Sequence, residues 1–292
     1  MPQFNPDISI IIPAYNEYDG LKQLLPRLLD AYPDAEILVV DDGSTDNTLT
    51  VCEELNVTYL KHPYNLGNGA AIKSGARQAS GDILVFMDAD GQHEPKYIDV
   101  LLNVLSNGYD MVIGARERDS QASLPRYIAN LIYNKFASYM SGHEIMDLTS
   151  GFRAVRSRCF KKFLYLLPNG FSYPTTITMA FFRSGFSIKY IPIDCPPRIG
   201  NSHIRILKDG IKFFLIIFRL TSLYSPLKIF APISLVLFIT GIGYYGYTYI
   251  YTDRFTNMSI LFLLTSVIIF MIGLLAEQIT FLIYSESQKQ DD

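Results

Sequence analysis

The chain contains no tryptophan, only three cysteines, and few charges for its length. Cys52, Cys159 and Cys195 lie far apart and form no C-x-x-C pair. That excludes a metal knuckle or redox dithiol and suits reduced thiols in a cytosolic setting. The opening Met-Pro-Gln-Phe-Asn-Pro-Asp has no basic stretch followed by an apolar one. No secretory signal is read there, and the residues before Arg198 are expected in the cytosol. Charged residues make up 18 %, the net charge is −3 and no long run of one sign occurs. A nucleic-acid partner is therefore not expected. No G-x-x-x-x-G-K-[ST] occurs either, which excludes a P-loop.

What the chain has in excess is apolar residues, 49 %, concentrated in its last third. Two long apolar runs, about 227–251 and 258–284, each exceed the ~20 residues needed to cross a hydrocarbon core. Ahead of them, residues 204 to 224 read as a helix apolar over most of its circumference. Arg205, Lys208, Lys212 and Arg219 nevertheless fall within about 60° of one another on it. A greasy helix with one basic stripe suits the headgroup level of a membrane, and an ordinary packed helix with a solvated stripe gives the same pattern. Lys228 adds to the basic excess before the first span, while the intervening loop Thr252–Asn257 carries one Arg and one Asp. The bias places both chain ends in the cytoplasm. The expected layout is a cytoplasmic domain over 1–203, an interfacial region over 204–225 and a transmembrane hairpin over 226–292.

The first two-thirds alternates between two periodicities. Short apolar runs at 8–13 (ISIIIP), 36–40 (EILVV), 83–87 (ILVFM) and 110–113 (DMVI) read as strands. Between them, Leu21, Leu24, Leu25, Leu28 and Leu29 recur at helical spacing within 18–32. Further helices are expected at about 70–79 and 97–106. Strand–helix alternation with wholly apolar strands predicts an α/β domain with a parallel sheet covered on both faces. Ligands then bind beyond the carboxyl ends of the strands, where the polar motifs stand.

The strongest of these is Met87-Asp88-Ala89-Asp90-Gly91-Gln92-His93. Two carboxylates spaced i, i+2 after an apolar strand suit a hard divalent cation, Mg2+ or Mn2+, with Gln92 as a third oxygen donor and His93 a weaker one. Such a cation stabilises a diphosphate leaving group. A turn-forming Asp pair capping the next helix is the alternative. Pro13-Ala14-Tyr15-Asn16-Glu17 follows the first strand, and Asp41-Asp42-Gly43-Ser44-Thr45-Asp46 the second. Their carboxylates can accept from a base or ribose, and Tyr15 can pack on the base. Ser44, Thr45 and Asp46 read as caps of the next helix. The run Asn65-Leu66-Gly67-Asn68-Gly69-Ala70-Ala71 would let backbone approach a ligand ahead of a helix N-terminus. It fails as a G-x-G-x-x-G fingerprint, because Ile72 stands at the third glycine.

"IIPAYNE", "VVDDGSTDNT", "NLGNGAAIKSG" and "MDADGQHEP", in this order, resemble glycosyltransferase family 2 and its GT-A fold over about residues 7 to 200. "DLTSGFRAVRS" at 147–157, "LLAEQITFLIYSES" at 274–287 and the two-span tail resemble its dolichyl-phosphate mannose synthase and bacterial polyprenyl-phosphate glycosyltransferase branch. The resemblance implies a nucleotide-sugar donor, UDP- or GDP-linked, held by Pro13, Tyr15, Glu17, Asp41, Asp42, Asp88, Ala89 and Asp90. It implies a metal on Asp88, Asp90 and Gln92. It implies a polyprenyl phosphate acceptor, with Arg116, Arg126, Ser150, Arg153 and Ser202 as acceptor-phosphate candidates and Arg198 beside the reacting groups. Arginine's planar fork matches phosphate oxygens. His203 stands where many relatives carry lysine, which leaves the acceptor-side charge pattern open.

A phosphate acceptor needs no general base, since its second pKa is about 6. No extra carboxylate follows the metal cluster in the Glu-Asp context of hydroxyl-directed relatives. Inversion at the anomeric carbon is what the resemblance implies. The absent tryptophan argues against a processive polysaccharide synthase, which carries Q-x-x-R-W. Transfer to a lipid hydroxyl and a non-catalytic nucleotide-sugar-binding adaptor are the other readings, the latter at odds with the retained Asp88 and Asp90. Glu277, in the second apolar run, is either a lipid or subunit contact or a boundary marker. Gly241, Gly243 and Gly246 could pack helices closely, within the chain or in a homo-oligomer.

Overall fold

The apolar runs become strands and the 3.6-period stretches become helices in the computed structural model, which describes residues 7–116, 124–170, 172–194, 225–252 and 256–288. The chain divides into two units, Met1–Ile206 and Leu207–Asp292.

In the first unit, β1 (Ile8–Ala14), β2 (Glu36–Asp41), β3 (Thr58–Lys61), β4 (Ile83–Phe86), β5 (Met111–Arg116), β6 (Arg153–Arg156) and β7 (Ile188–Ile193) form one sheet in the order β3-β2-β1-β4-β6-β5-β7. The helices between them are α1 (Tyr18–Ala31), α2 (Thr48–Glu54), α3 (Asn68–Gln78), α4 (Lys96–Ser106), α5 (Leu124–Ser141), α6 (Ser157–Lys161) and α7 (Tyr173–Arg183). Leu21, Leu24, Leu25 and Leu28 turn the apolar stripe of α1 onto the sheet and are buried. Each such leucine contributes roughly 1.5–3 kcal/mol of burial. They share a core with Ile10 and Ile12 of β1, Val39 of β2 and Val85 of β4.

The expectation of a parallel sheet needs one correction. β6 runs antiparallel to both β4 and β5, pairing Phe86 with Arg153 and Ile113 with Arg153. A strand reached from the opposite direction brings its amino end to the edge where its neighbours end. The segment leading into β6 therefore arrives beside the end of β4, and with it comes the "TSGF" run. Because β2, β1 and β4 are neighbours and parallel, Asp41, Ala14 and Phe86 close their strands along that same edge.

In the second unit, α8 (Leu227–Thr252) and α9 (Asn257–Gln288) are both long and apolar enough to cross a membrane, with mean hydropathies of 1.8 and 2.7 over their spans. They pair antiparallel: the Ser234 hydroxyl donates to the Ser266 carbonyl at 2.8 Å, and Gly273 packs on Phe230 near the other end of the contact. Of the three glycines in α8, Gly241 serves this hairpin, since a Cβ there would lie 3.0 Å from Leu263. Gly243 and Gly246 meet nothing within 4 Å. Glu277 has partners within the hairpin. Its Oε2 accepts from the Ser225 hydroxyl at 3.0 Å and the Leu227 amide at 3.2 Å, capping the start of α8.

Candidate active site

The loops after β1 and β2 are stapled together. Asn16 sits in the left-handed region at φ 55°, which a short amide tolerates. There its Oδ1 accepts from the Thr45 amide at 2.8 Å, while its own amide donates to the Ser44 hydroxyl at 2.9 Å. The Glu17 amide donates to Thr48 Oγ1 at 3.0 Å. Ser44 and Thr45 thus bind the neighbouring loop instead of capping α2. Asp46 does take a capping role, accepting from the Thr48 amide at 3.0 Å. The staple leaves Tyr15 outside, 45 % exposed, as a flat surface beside Pro13 at the strand edge.

The two aspartates that follow β2 do different work. Asp42 is buried and both its oxygens are engaged. The Leu66 amide and the His62 Nδ1 donate to Oδ1 at 2.9 and 2.7 Å, and the Gly67 amide to Oδ2 at 2.8 Å. An ionised carboxylate only accepts, so Nδ1 carries the His62 proton, and Nε2 meets the Ser74 hydroxyl at 2.9 Å. Asp41 is wholly buried and accepts from the Ser44 amide at 3.0 Å with Oδ1, while its Oδ2 has no hydrogen-bond partner among the described residues. A buried carboxylate oxygen without a donor is costly, and of the two it is Asp41 that retains accepting capacity for a ligand.

The glycine-rich run packs against neighbouring backbone. Gly67, at φ 104°, would put a Cβ 2.4 Å from the Asn169 carbonyl oxygen, and Gly69 one 2.1 Å from that of Pro168. The Asn169 carbonyl accepts from the Ala70 amide at 3.0 Å. Backbone does approach closely here, and the partner is the turn at 168–170, which accepts from one amide in the first turn of α3.

Beyond β4, the Gln92 amide donates to Asp90 Oδ1 at 3.2 Å, and Gly91 at φ 74° turns the chain between them. Asp88 keeps 37 % of its side chain exposed. His93 belongs to the scaffold. Its Nδ1 accepts from the Asp88 amide at 3.1 Å, its ring stacks on Phe152 at 4.8 Å, and burial pushes its pKa down to about 4, so it is neutral. Asp88, Asp90 and Gln92 offer two carboxylates and an amide oxygen, donor types that suit Mg2+ or Mn2+. Among the described residues, no group of three or more His, Cys, Asp or Glu is gathered to hold a metal.

Opposite them comes the segment into β6. A Cβ on Gly151 would stand 3.1 and 3.2 Å from the two Asp88 carboxylate oxygens. Ser150 is buried and donates to the Gly114 carbonyl at 2.6 Å. At the end of β5, the Arg116 Nε and Nη2 form a fork on Asp147 at 2.8 and 3.1 Å, and Nη2 also reaches Thr149 at 2.7 Å. Burial alone would raise the Asp147 pKa, but the Arg116 charge and the hydrogen bonds from Arg116 and Thr149 hold it below the ordinary carboxylate value.

Arg153 stands apart from the acceptor set proposed for it. It is fully buried, so in this arrangement its guanidinium presents nothing to a lipid phosphate. Sequence reading gave no role to His62, nor individually to Asp147 and Gly151, which it carried only within "DLTSGFRAVRS". Arg198 and Ser202 lie outside the described residues, as do His203 and the basic-striped helix. Arg126 lies on α5, outside the described side chains.

Comparison with known proteins agrees with this fold. The description "Glycosyl transferase family 2" matches residues 9–164, and "GtrB C-terminal hairpin" matches residues 225–282. The polyprenol monophosphomannose synthase of Mycolicibacterium smegmatis is 32 % identical over 199 residues, covering 63 % of this chain and 75 % of its own. The undecaprenyl-phosphate 4-deoxy-4-formamido-L-arabinose transferase of Pectobacterium atrosepticum is 29 % identical over 302 residues, covering 94 % and 88 %. Among solved structures, the glucosyl-3-phosphoglycerate synthase of Mycobacterium tuberculosis, crystallised with Mn2+, UDP and glucosyl-3-phosphoglycerate, superposes with a TM-score of 0.60. That match is at 19 % identity over 75 % of this chain and 80 % of the other. With the sheet order, the carboxylates after β4 and the family match in agreement, the chain belongs to glycosyl transferase family 2.

Proposed function

We propose that this protein transfers a sugar from a UDP- or GDP-linked donor to a polyprenyl phosphate at the cytoplasmic face of a membrane. The observation that carries the reading is the meeting of three strand ends at one edge. There Tyr15 lies open beside Asp41, and Asp88 and Asp90 stand next in line. A hairpin of two membrane-length helices in the same chain supports a lipid acceptor, as do relatives named for polyprenol- and undecaprenyl-phosphate transfer. The basic residues before the first span, against one Arg and one Asp in the loop between spans, favour a cytoplasmic catalytic unit.

In this reading Tyr15 covers the base, with Pro13 and Glu17 completing that wall, and the free Oδ2 of Asp41 accepts from the base or ribose. Asp42 shapes the pocket through its hold on Leu66 and Gly67. Asp88, Asp90 and Gln92 would hold Mg2+ or Mn2+, which when bound would supply charge to stabilise a diphosphate leaving group. Arg116, fixed by Asp147, and Arg126, Arg198 and Ser202 are proposed as phosphate-facing groups. The acceptor is already an anion at neutral pH, so positioning replaces a general base.

The test is a transfer assay in membranes with radiolabelled UDP- and GDP-sugars, Mg2+ or Mn2+, and polyprenyl phosphate added or omitted. Label should enter the lipid phase only when metal and polyprenyl phosphate are both present. Nucleotide release without labelled lipid would overturn the acceptor.

A further inference from the structure

Arg153 is a cation in the interior of the first unit. None of its surface is exposed, and among the described residues no carboxylate forms an ion pair with it. Its Nη1 donates to the Pro174 carbonyl and Thr178 Oγ1, both at 3.3 Å, and its Nη2 to the Ser150 carbonyl. The Tyr173 ring lies 5.8 Å from the guanidinium carbon, and among the described residues Nε has no hydrogen-bond partner. Burying a cation on neutral acceptors without a carboxylate partner is unfavourable, and an apolar side chain of similar volume would fill the space at lower cost. Packing does not account for the charge.

The neighbourhood does. The Ser150 carbonyl held by Nη2 precedes Gly151, whose backbone closes on the Asp88 carboxylate. Ser150 is held from its other side by the Gly114 carbonyl of β5. Burial lowers the Arg153 pKa from the ordinary guanidinium value, and the negative charges of Asp147 and Asp88 are among those that oppose the shift. The cation thus lies within electrostatic reach of the strand-end carboxylates.

We infer that Arg153 is a positioning residue for Asp88: through Ser150 it holds Gly151 against that carboxylate and so fixes how Asp88 presents itself to the metal. The inference rests on the assignment of Asp88 as a metal ligand in a nucleotide-sugar site. Such indirect support of a ligand typically changes metal affinity by about 10–100-fold when removed.

The experiment uses full-length protein in detergent micelles and the variants Arg153→Met, Arg153→Lys and Gly151→Ala. The readouts are Mn2+-dependent binding of UDP or GDP without acceptor, and KM for donor and for polyprenyl phosphate. Arg153→Met should raise the Mn2+ concentration for half-maximal nucleotide binding by about tenfold or more and raise the donor KM, leaving the acceptor KM unchanged. Arg153→Lys, which keeps the charge but loses the fork, should recover part of that loss. Gly151→Ala should move the same metal requirement in the same direction with Arg153 intact, and this carries the test if Arg153→Met does not fold. A rise confined to the acceptor KM would overturn the inference and make Arg153 an acceptor ligand. Unchanged constants with fewer active molecules would overturn it in favour of packing alone. Wild-type protein that binds no nucleotide with metal would bring down the site assignment itself, a different result from normal wild-type binding with unaffected variants.

Discussion

A Cβ placed on Gly20 would lie 2.1 Å from the carbonyl oxygen of Ala89, so α1 and the loop bearing Asp88 and Asp90 touch backbone to backbone. Replacing a helical glycine with alanine ordinarily stabilises by roughly 0.5–1 kcal/mol. Here the obstacle is a carbonyl, which cannot swing aside as a side chain would. Gly20→Ala should destabilise by about 1–3 kcal/mol and reduce transfer by displacing the two aspartates. Thermal unfolding and the membrane transfer assay read the two effects. A variant more stable than wild type would show that the loop yields freely.

Asp90→Asn isolates the charge of the metal site. Asparagine keeps an Oδ1 that can accept from the Gln92 amide, so the 3.2 Å bond shaping the loop survives. The anionic ligand does not. Indirect partners of metal ligands cost about 10–100-fold, and loss of a direct one should cost at least about a hundredfold in transfer, with the unfolding temperature unchanged. Chelation with EDTA should give the same loss in wild type, reversed by added Mn2+. Wild-type turnover in the variant would remove Asp90 from the metal site.

Asp147 predicts an acid-sensitive contribution to stability. Arg116 holds its folded pKa below 3.8, the ordinary value, against the opposing pull of burial. The unfolded chain then takes up the proton first as the pH falls, and stability falls with pH. The contribution is complete above 3.8 and is lost as the pH drops through the lower folded value. Asp147→Asn should be less stable than wild type at neutral pH, and the gap should close on acidification below that point. Denaturant unfolding at a series of pH values measures it. A gap constant with pH would mean that the fork on Arg116 is electrostatically neutral.

Much of this fold lies open in the sequence because its signals are local. The stripe Leu21-Leu24-Leu25-Leu28 announces α1, and the run ILVF announces β4 together with the edge at which Asp88 follows. What stayed hidden depends on direction and partner. β6 reads Arg-Ala-Val-Arg, a short apolar pair between two cations, and its antiparallel course is a property of the sheet as a whole. Arg153 looks like a phosphate ligand by residue type, and only the surrounding α7 and β5 turn it inward. The same holds for Gly67 and Gly69, whose smallness is equally suited to a phosphate and to the turn at 168–170.

Glu277 gives the hairpin its sharpest prediction. The amide of Leu227, the first residue of α8, has no carbonyl within its own helix to bond. Its acceptor comes from fifty positions along the chain (277 against 227), which makes the cap a tertiary contact that forms only when α8 and α9 are paired. The Ser225 hydroxyl shares the same oxygen. Glu277→Ala removes the acceptor and should destabilise the paired hairpin by about 1–2 kcal/mol, the usual cost of a lost cap. Glu277→Gln keeps an acceptor oxygen and should retain most of the stability, because the geometry calls for a lone pair more than for a charge. Thermal unfolding of the full-length protein in detergent micelles compares the two. Equal losses would show that the negative charge at the helix start is what matters, whereas no loss in either would mean that the hairpin holds together without this cap.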